Sequence, residues 1–329
     1  MYSRFIRDQA LSEISTLGIG GPARYFYEVK SIEIMQQVMR FCHLEKLPFF
    51  ILGKGSNCLF SDYGFDGLVI LNKIDFCDEI DSAAIPAGPM TPGSVAPFGA
   101  RSPGANLCHP IEGFRHFGSA GIAVEPATFY VGAGFSFSLL GTQTARKGYS
   151  GLEFASGIPA TVGGAIFMNA GAQSGETQQF LKFVDYVDDT GEMKRLQKDE
   201  LHFSYRYSSF QSMRGAIVAA CFQLVSCSEA KVLQRALLDY RIATQPYHEK
   251  SAGCIFRNPS EGSAGALIDK CGLKGFQIGG AKVSEMHGNF LVNSHKASAD
   301  DMKALIRAVQ QTVYERCGVH LEQEVRVIE

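Results

Sequence analysis

GKGSN at residues 53–57 and GIPATVGGAIFMNAGAQSGE at 157–176 are the two stretches on which the fold turns. Each follows apolar residues able to form a strand or a short helix, and each leaves consecutive backbone N–H groups unshielded by side chains. That composition suits an anionic ligand. Two such loops in one chain suggest a long diphosphate ligand. Neither is a Walker loop, because no Lys-Ser or Lys-Thr pair closes it, and neither has the GxGxxG spacing of a Rossmann turn.

Around these loops the chain alternates helical and strand patterns. Ser31 is placed to cap a helix in which Ile34, Met35, Val38, Met39 and Cys42 recur at helical spacing. Leu47-Pro48 ends it before PFFIL at 48–52, so the first glycine loop follows a strand, and GLVILN at 67–72 reads as another. Residues 86–126 then hold seven of the twelve prolines and seven glycines without periodicity, the mark of a long loop or insertion. Order resumes with a strand at FYVGAG, 129–134, and a helix over 136–147 that leads to the second loop. Farther on, AIVAACFQLVS at 216–226 predicts a strand. A helix over 229–243 is expected to bury Val232, Leu233, Ala236, Leu237 and Tyr240. Ser298 with Asp301 forms a variant capping box for a last helix through Met302, Leu305, Ile306, Val309 and Val313, and VHLEQEVRVIE alternates as a final strand.

Composition narrows the class. The 329 residues, 46% hydrophobic and 19% charged, can bury a substantial core divided into two or three domains. A net charge of −2 argues against a nucleic-acid partner. The N-terminus has no apolar run suited to a signal peptide and no stretch suits membrane insertion, so a cytoplasmic protein is expected. Nine scattered cysteines without a CxxC pair suggest neither a disulfide framework nor zinc, and the eight histidines form no ligand-spaced cluster, so no metal is expected.

The blocks GKGSNCLFSDYGFDGLVI (53–70), GLEFASGIPATVGGAIFMNAGAQSGE (151–176), FSYRYSSF (203–210), TQPYHEKSAGCIFRNP (244–259), SAGALIDKCGLKGFQIGGAKVSEMHGNFLVN (263–293) and LEQEVRVIE (321–329) resemble the UDP-N-acetylenolpyruvoylglucosamine reductase family. They occur in the family's order, beginning from STLGIGGPARYF at 15–26, and 73–128 lies outside the pattern. The 47 residues between Arg206 and Cys254 leave little room for the capping loop of type I members, so the resemblance is to type II. It implies an α+β chain with a vanillyl-alcohol-oxidase-like (PCMH-type) FAD-binding fold. The implied divisions are an FAD-binding subdomain over 1–72, a second over 73–226 carrying the insertion, and a substrate domain over 227–329. It also implies noncovalent FAD, NADPH and UDP-N-acetylglucosamine enolpyruvate as ligands, with one chain as the working unit.

The site residues follow from the same resemblance, and each has its own chemistry. Gly53, Lys54, Gly55, Ser56 and Asn57 would serve the FAD diphosphate. Gly157, Ile158, Pro159, Thr161, Gly163 and Gly164 would let the backbone approach the flat cofactor closely. Arg206, permanently charged and forked, suits the enolpyruvyl carboxylate. Alternation leaves Glu322 and Glu324 on one strand face, and only the family motif chooses Glu324 as the carboxylate that stabilises or protonates the enol intermediate. Cys254 stands where many relatives carry a serine proposed to protonate the substrate α-carbon. A thiol, with an ordinary pKa of about 8.5, is a better acid than a hydroxyl. Asn258, Lys274, His287 and Asn289 would contact substrate, His287 standing where some relatives have glutamine. Two other readings fit the same residues: another flavin oxidoreductase of this fold, and a catalytically silent sugar-nucleotide-binding flavoprotein.

Overall fold

The computed structural model describes residues 1–81, 85, 88, 126–173 and 175–329. The expected insertion falls largely outside them. Its described edges are strands Cys77–Ile80 and Pro126–Gly132, which pair antiparallel with Cys77 opposite Val131. Among the described residues the α-helices are α1 (Ile32–Leu44), α2 (Phe137–Arg146), α3 (Val162–Phe167), α4 (Ala230–Thr244), α5 (Ala264–Lys270) and α6 (Ala299–Cys317).

The chain forms two compact units. The first comprises Met1–Tyr27, Pro48–Leu71 and Arg241–Glu329, and the second Glu28–Leu47 and Asn72–Tyr240. Residues 28–47, which the expected division placed with the first 72, therefore belong with the second unit. The reason is α1. Its Ser31 cap accepts the Ile34 N–H at 3.3 Å, and its buried face of Ile32, Met35, Val38, Met39 and Cys42 packs toward strands Leu181–Asp188 and Gly215–Ser226.

In the first unit, a four-stranded sheet runs in the order Ile6–Ala10, Pro22–Val29, Phe65–Asn72, Phe49–Leu52. Phe49–Leu52 lies parallel to Phe65–Asn72, with Leu52 opposite Leu71, and this delivers GKGSN at a strand's C-terminal end. A second sheet orders Ser251–Cys254, Phe290–Asn293, Ala281–Val283 and Gln277–Ile278. Its core takes in Met302, Leu305, Ile306, Val309 and Val313 of α6 together with Ile255, Phe256 and Val325. Both hydrogen bonds of the Ser298–Asp301 capping box are present, and Gly318 closes the helix at φ 70°.

In the second unit, an antiparallel sheet orders Met193–Gln197, Leu181–Asp188, Gly215–Ser226, Pro126–Gly132 and Cys77–Ile80, with Tyr149–Ser150 also paired to Gly215–Ser226. Phe137, Leu140, Val162, Ala165 and Ile166 of α2 and α3 pack into its core with Phe129, Val131, Ala220 and Phe222.

Two expectations need correction. Helix α4 is turned from its predicted face: Val232 is 71% exposed and Tyr240 60%, while Ala230, Gln234, Leu237 and Arg241 are buried. Polar side chains occupy inward positions there, and Arg241 donates to Tyr247 Oη at 3.1 Å. The final alternating strand is also shorter. The chain makes one bridge at Gln323, bends at Val325, and is a strand only over Arg326–Ile328.

Candidate functional site

The GKGSN loop of the first unit turns at Gly55, whose φ is 63°. A Cβ there would sit 2.8 Å from the Ile14 carbonyl oxygen and 2.9 Å from Ser15 Cα, so glycine is required by both torsion and space. The Gly55 carbonyl accepts the Thr16 N–H at 3.3 Å. Among the described residues, no acceptor meets the N–H groups of Lys54, Gly55 or Ser56. A loop whose carbonyl is tied back while successive N–H groups stay uncommitted fits a diphosphate. Asn57 behaves differently. Its amide Nδ2 donates to the Glu324 carbonyl at 3.3 Å, so its side chain has a partner inside the protein.

The second loop, in the second unit, does not offer the N–H cradle expected of it. Gly157 N–H donates to Ser138 Oγ at 2.7 Å, Ile158 to Ala155, Ala160 to Ile158, Val162 to Phe135, and Gly163 to the Ala133 carbonyl at 2.8 Å. Thr161 caps α3 by accepting the Gly164 N–H at 3.2 Å. What remains is bare backbone. A Cβ on exposed Gly164 would touch nothing within 4 Å except Thr161 Oγ1 at 3.4 Å. With exposed Pro159 and half-buried Ile158 beside it, the segment suits the face of a planar ring rather than a phosphate.

Downstream of α3 the chain builds a support for Arg206. Asn169, fully buried and at φ 42°, donates to Glu176 Oε2 and to the Ser204 carbonyl, both at 3.0 Å. Ser204 lies in a hairpin of Phe203–Ser204 and Tyr207–Ser208. Arg206 turns that hairpin at φ 57°, a left-handed conformation uncommon for a non-glycine residue. Its carbonyl accepts from Gln211 at 3.1 Å, its Nη2 donates to the Gly171 carbonyl at 3.0 Å, and its guanidinium lies 4.9 Å from the Tyr205 ring centre. The strained backbone is thus held from two sides.

The remaining candidates lie in the first unit. Cys254 ends its strand opposite Phe290, half-buried, after a bulge in which Gly253 adopts φ 74°. The next carbonyl, that of Ile255, accepts the Glu324 N–H at 2.7 Å. Thiol and carboxylate are therefore borne on adjoining, hydrogen-bonded backbone. The carboxylate of Glu322 pairs with Arg257 at 2.9 Å and is 68% exposed.

Lys274 pairs with Asp269 at 2.9 Å. Asn258 Oδ1 accepts the Ala264 N–H at the start of α5, giving it a structural task. His287 is half-buried, and burial chiefly, with the charge of Lys274, pushes its pKa down. Its Nδ1 accepts the Asn289 N–H at 3.2 Å, so the neutral ring carries its proton on Nε2 as a donor. Asn289 does not fit its expected role as a substrate contact. It is 2% exposed, and its amide both accepts the Phe256 N–H at 2.9 Å and donates to the Phe256 carbonyl at 2.8 Å.

Sequence reasoning missed Thr16. Its hydroxyl donates to the Ser251 carbonyl at 2.7 Å, binding the GKGSN loop to the strand that ends in Cys254. Its place in the STLGIGG block was the available signal.

Residues 245–328 match the family described as "UDP-N-acetylenolpyruvoylglucosamine reductase, C-terminal domain", and residues 117–197 the family described as "FAD binding domain". A reductase of that name from Protochlamydia amoebophila is 48% identical over 318 residues, which cover 97% of this chain and 92% of the relative. The chain belongs to the UDP-N-acetylenolpyruvoylglucosamine reductase family. The reductase from Chlamydia muridarum is 44% identical with the same coverage. The crystal structure of the Thermus caldophilus reductase matches with a TM-score of 0.72 at 32% identity, covering 99% of each chain. The α+β architecture is thus the FAD-binding fold of this reductase family.

Proposed function

We propose that the chain reduces UDP-N-acetylglucosamine enolpyruvate to UDP-N-acetylmuramate for peptidoglycan synthesis, with NADPH as electron donor and noncovalent FAD as cofactor. FAD, when bound, supplies hydride transfer in two successive half-reactions, from NADPH and then to the enolpyruvyl β-carbon. The chain's residues bind, orient and move the proton. Lys54, Gly55 and Ser56 hold the cofactor diphosphate through uncommitted N–H groups. Gly164, where a Cβ would meet only Thr161 Oγ1, keeps a side chain away from its ring, and Gly163 lets the segment lie close against Ala133 beneath it. Arg206 clamps the substrate carboxylate and offsets the negative charge that develops next to it. Cys254 gives its Sγ proton to the α-carbon, and Glu324 stabilises the enol on the way. Asn258, Lys274 and His287 bind the substrate.

What carries this reading is the 2.7 Å bond from the Glu324 N–H to the carbonyl following Cys254. It supports a proton donor and a stabilising carboxylate acting as one unit. We assign residues 1–226 to cofactor binding and 227–329 to substrate, and take a single chain in the cytoplasm as the working form. No described helix is long and apolar enough to cross a membrane. The test is NADPH consumption by the purified protein with the enolpyruvyl sugar nucleotide, with the product read by mass. Stoichiometric consumption and a product two hydrogens heavier are expected. Consumption that required oxygen and left the sugar nucleotide unchanged would favour a different flavin oxidoreductase.

A further inference from the structure

We infer that Asn57 is a positioning residue for Glu324, so that the loop assigned to the cofactor diphosphate also sets the carboxylate assigned to the enol step. This rests on the function proposed above. The terminal segment has regular partners on both sides of Glu324. Gln323 bridges to Phe256, and Arg326–Ile328 pairs in parallel with Cys58–Phe60. Between them the chain bends at Val325, and there Asn57 grips it at two points. Its Nδ2 donates to the Glu324 carbonyl at 3.3 Å, and its own carbonyl accepts the Arg326 N–H at 3.1 Å.

The Glu324 N–H is held from the opposite side by the Ile255 carbonyl at 2.7 Å. Both polar backbone groups of Glu324 are therefore committed, one to the frame of Cys254 and one to the glycine loop. An amide on a single methylene can reach that carbonyl and donate to it. An aspartate of the same shape would set two acceptors against each other. Thr16 closes the arrangement, its N–H donating to the Gly55 carbonyl and its hydroxyl to the Ser251 carbonyl, so Gly55, Asn57, Glu324 and the Cys254 strand share one hydrogen-bonded frame.

The experiment compares the wild type with Asn57→Ala, the isosteric Asn57→Asp, Glu324→Gln and the double variant Asn57→Ala/Glu324→Gln. Flavin content, NADPH-driven flavin reduction and anaerobic reoxidation by the enolpyruvyl sugar nucleotide are measured separately. Losing the grip on Glu324 is expected to slow reoxidation roughly 10–100-fold, the scale of a misplaced reacting group. Flavin reduction, compared at matched flavin occupancy, should be slowed clearly less than reoxidation. In the Glu324→Gln background, Asn57→Ala should add less than about threefold, because residues acting through one another are not additive. Hydrogen exchange gives a readout without turnover: the amides of Glu324 and Val325 should exchange about tenfold faster in either Asn57 variant. Unchanged exchange at those amides, or effects of Asn57→Ala and Glu324→Gln that multiply, would overturn the inference. So would equal slowing of both half-reactions. A wild type that reoxidises with no sugar nucleotide would overturn the proposed function instead, and the exchange data would still decide the role of Asn57.

Discussion

Replacing Asn289 with alanine separates a structural clamp from a ligand contact. The side chain is 2% exposed and its amide completes both hydrogen bonds of the Phe256 backbone, at 2.9 and 2.8 Å. Phe256 itself is buried, so truncation leaves a donor and an acceptor without water or partner. Each such orphan costs about 1–3 kcal/mol, so the pair predicts a loss of roughly 2–6 kcal/mol. For a chain of this size that corresponds to a fall in Tm of roughly 3–9 °C. Asn289→Asp keeps the acceptor for the Phe256 N–H but opposes its carbonyl, and should destabilise to a similar degree. Thermal and urea unfolding of the three proteins measure this directly. An Asn289→Ala variant that melted within about 1 °C of wild type while losing affinity for the sugar nucleotide would refute the clamp.

Three further outcomes are expected. Cys254→Ala should slow the sugar-nucleotide half-reaction by about 10²–10⁴-fold and leave flavin reduction by NADPH nearly intact, with Cys254→Ser retaining more activity; equal slowing of both half-reactions would remove the proton-donor role. Burial raises the pKa of Glu153, whose Oε2 accepts the Gly151 N–H at 2.7 Å while its Oε1 meets no partner among the described residues. The folded protein therefore keeps that proton to higher pH than the unfolded chain, and stability declines as pH rises from the ordinary carboxylate range through the raised value. Glu153→Gln should flatten this decline in urea titrations at several pH values. Gly55→Ala forces a left-handed alanine against the Ile14 carbonyl and should cost about 1–3 kcal/mol and lower flavin content; a variant that folds as stably and binds flavin as well as wild type would contradict the loop geometry.

Elements whose signals were local could be read in the sequence. Ser31 capping α1 and Ser298 with Asp301 capping α6 form as expected, because the cap and its N–H lie within three residues. Where distant partners decide, the pattern misled. The N–H groups of the second loop look available in GIPATVGG, yet Ser138, Phe135 and Ala133 take Gly157, Val162 and Gly163. Alternation in LEQEVRVI could not separate Glu322 from Glu324. Arg257 pairs with the first, and the Ile255 carbonyl and Asn57 side chain fix the backbone of the second. Helix α4 was misread because Gln234 and Arg241 are buried while Val232 and Tyr240 face outward, an inversion that hydrophobic periodicity cannot express. Asn289 carried no sign of its partner, 33 residues away in the chain.

The central claim, that one chain passes electrons from NADPH to an enolpyruvyl sugar nucleotide, is tested most directly by anaerobic stopped-flow spectroscopy. Bound flavin is first reduced with NADPH and then mixed with UDP-N-acetylglucosamine enolpyruvate while flavin absorbance is followed. Rapid bleaching and then rapid recovery without oxygen are predicted, with UDP-N-acetylmuramate as the product. Bleaching that the sugar nucleotide failed to reverse, or a protein that bound no flavin when FAD was supplied, would contradict the account.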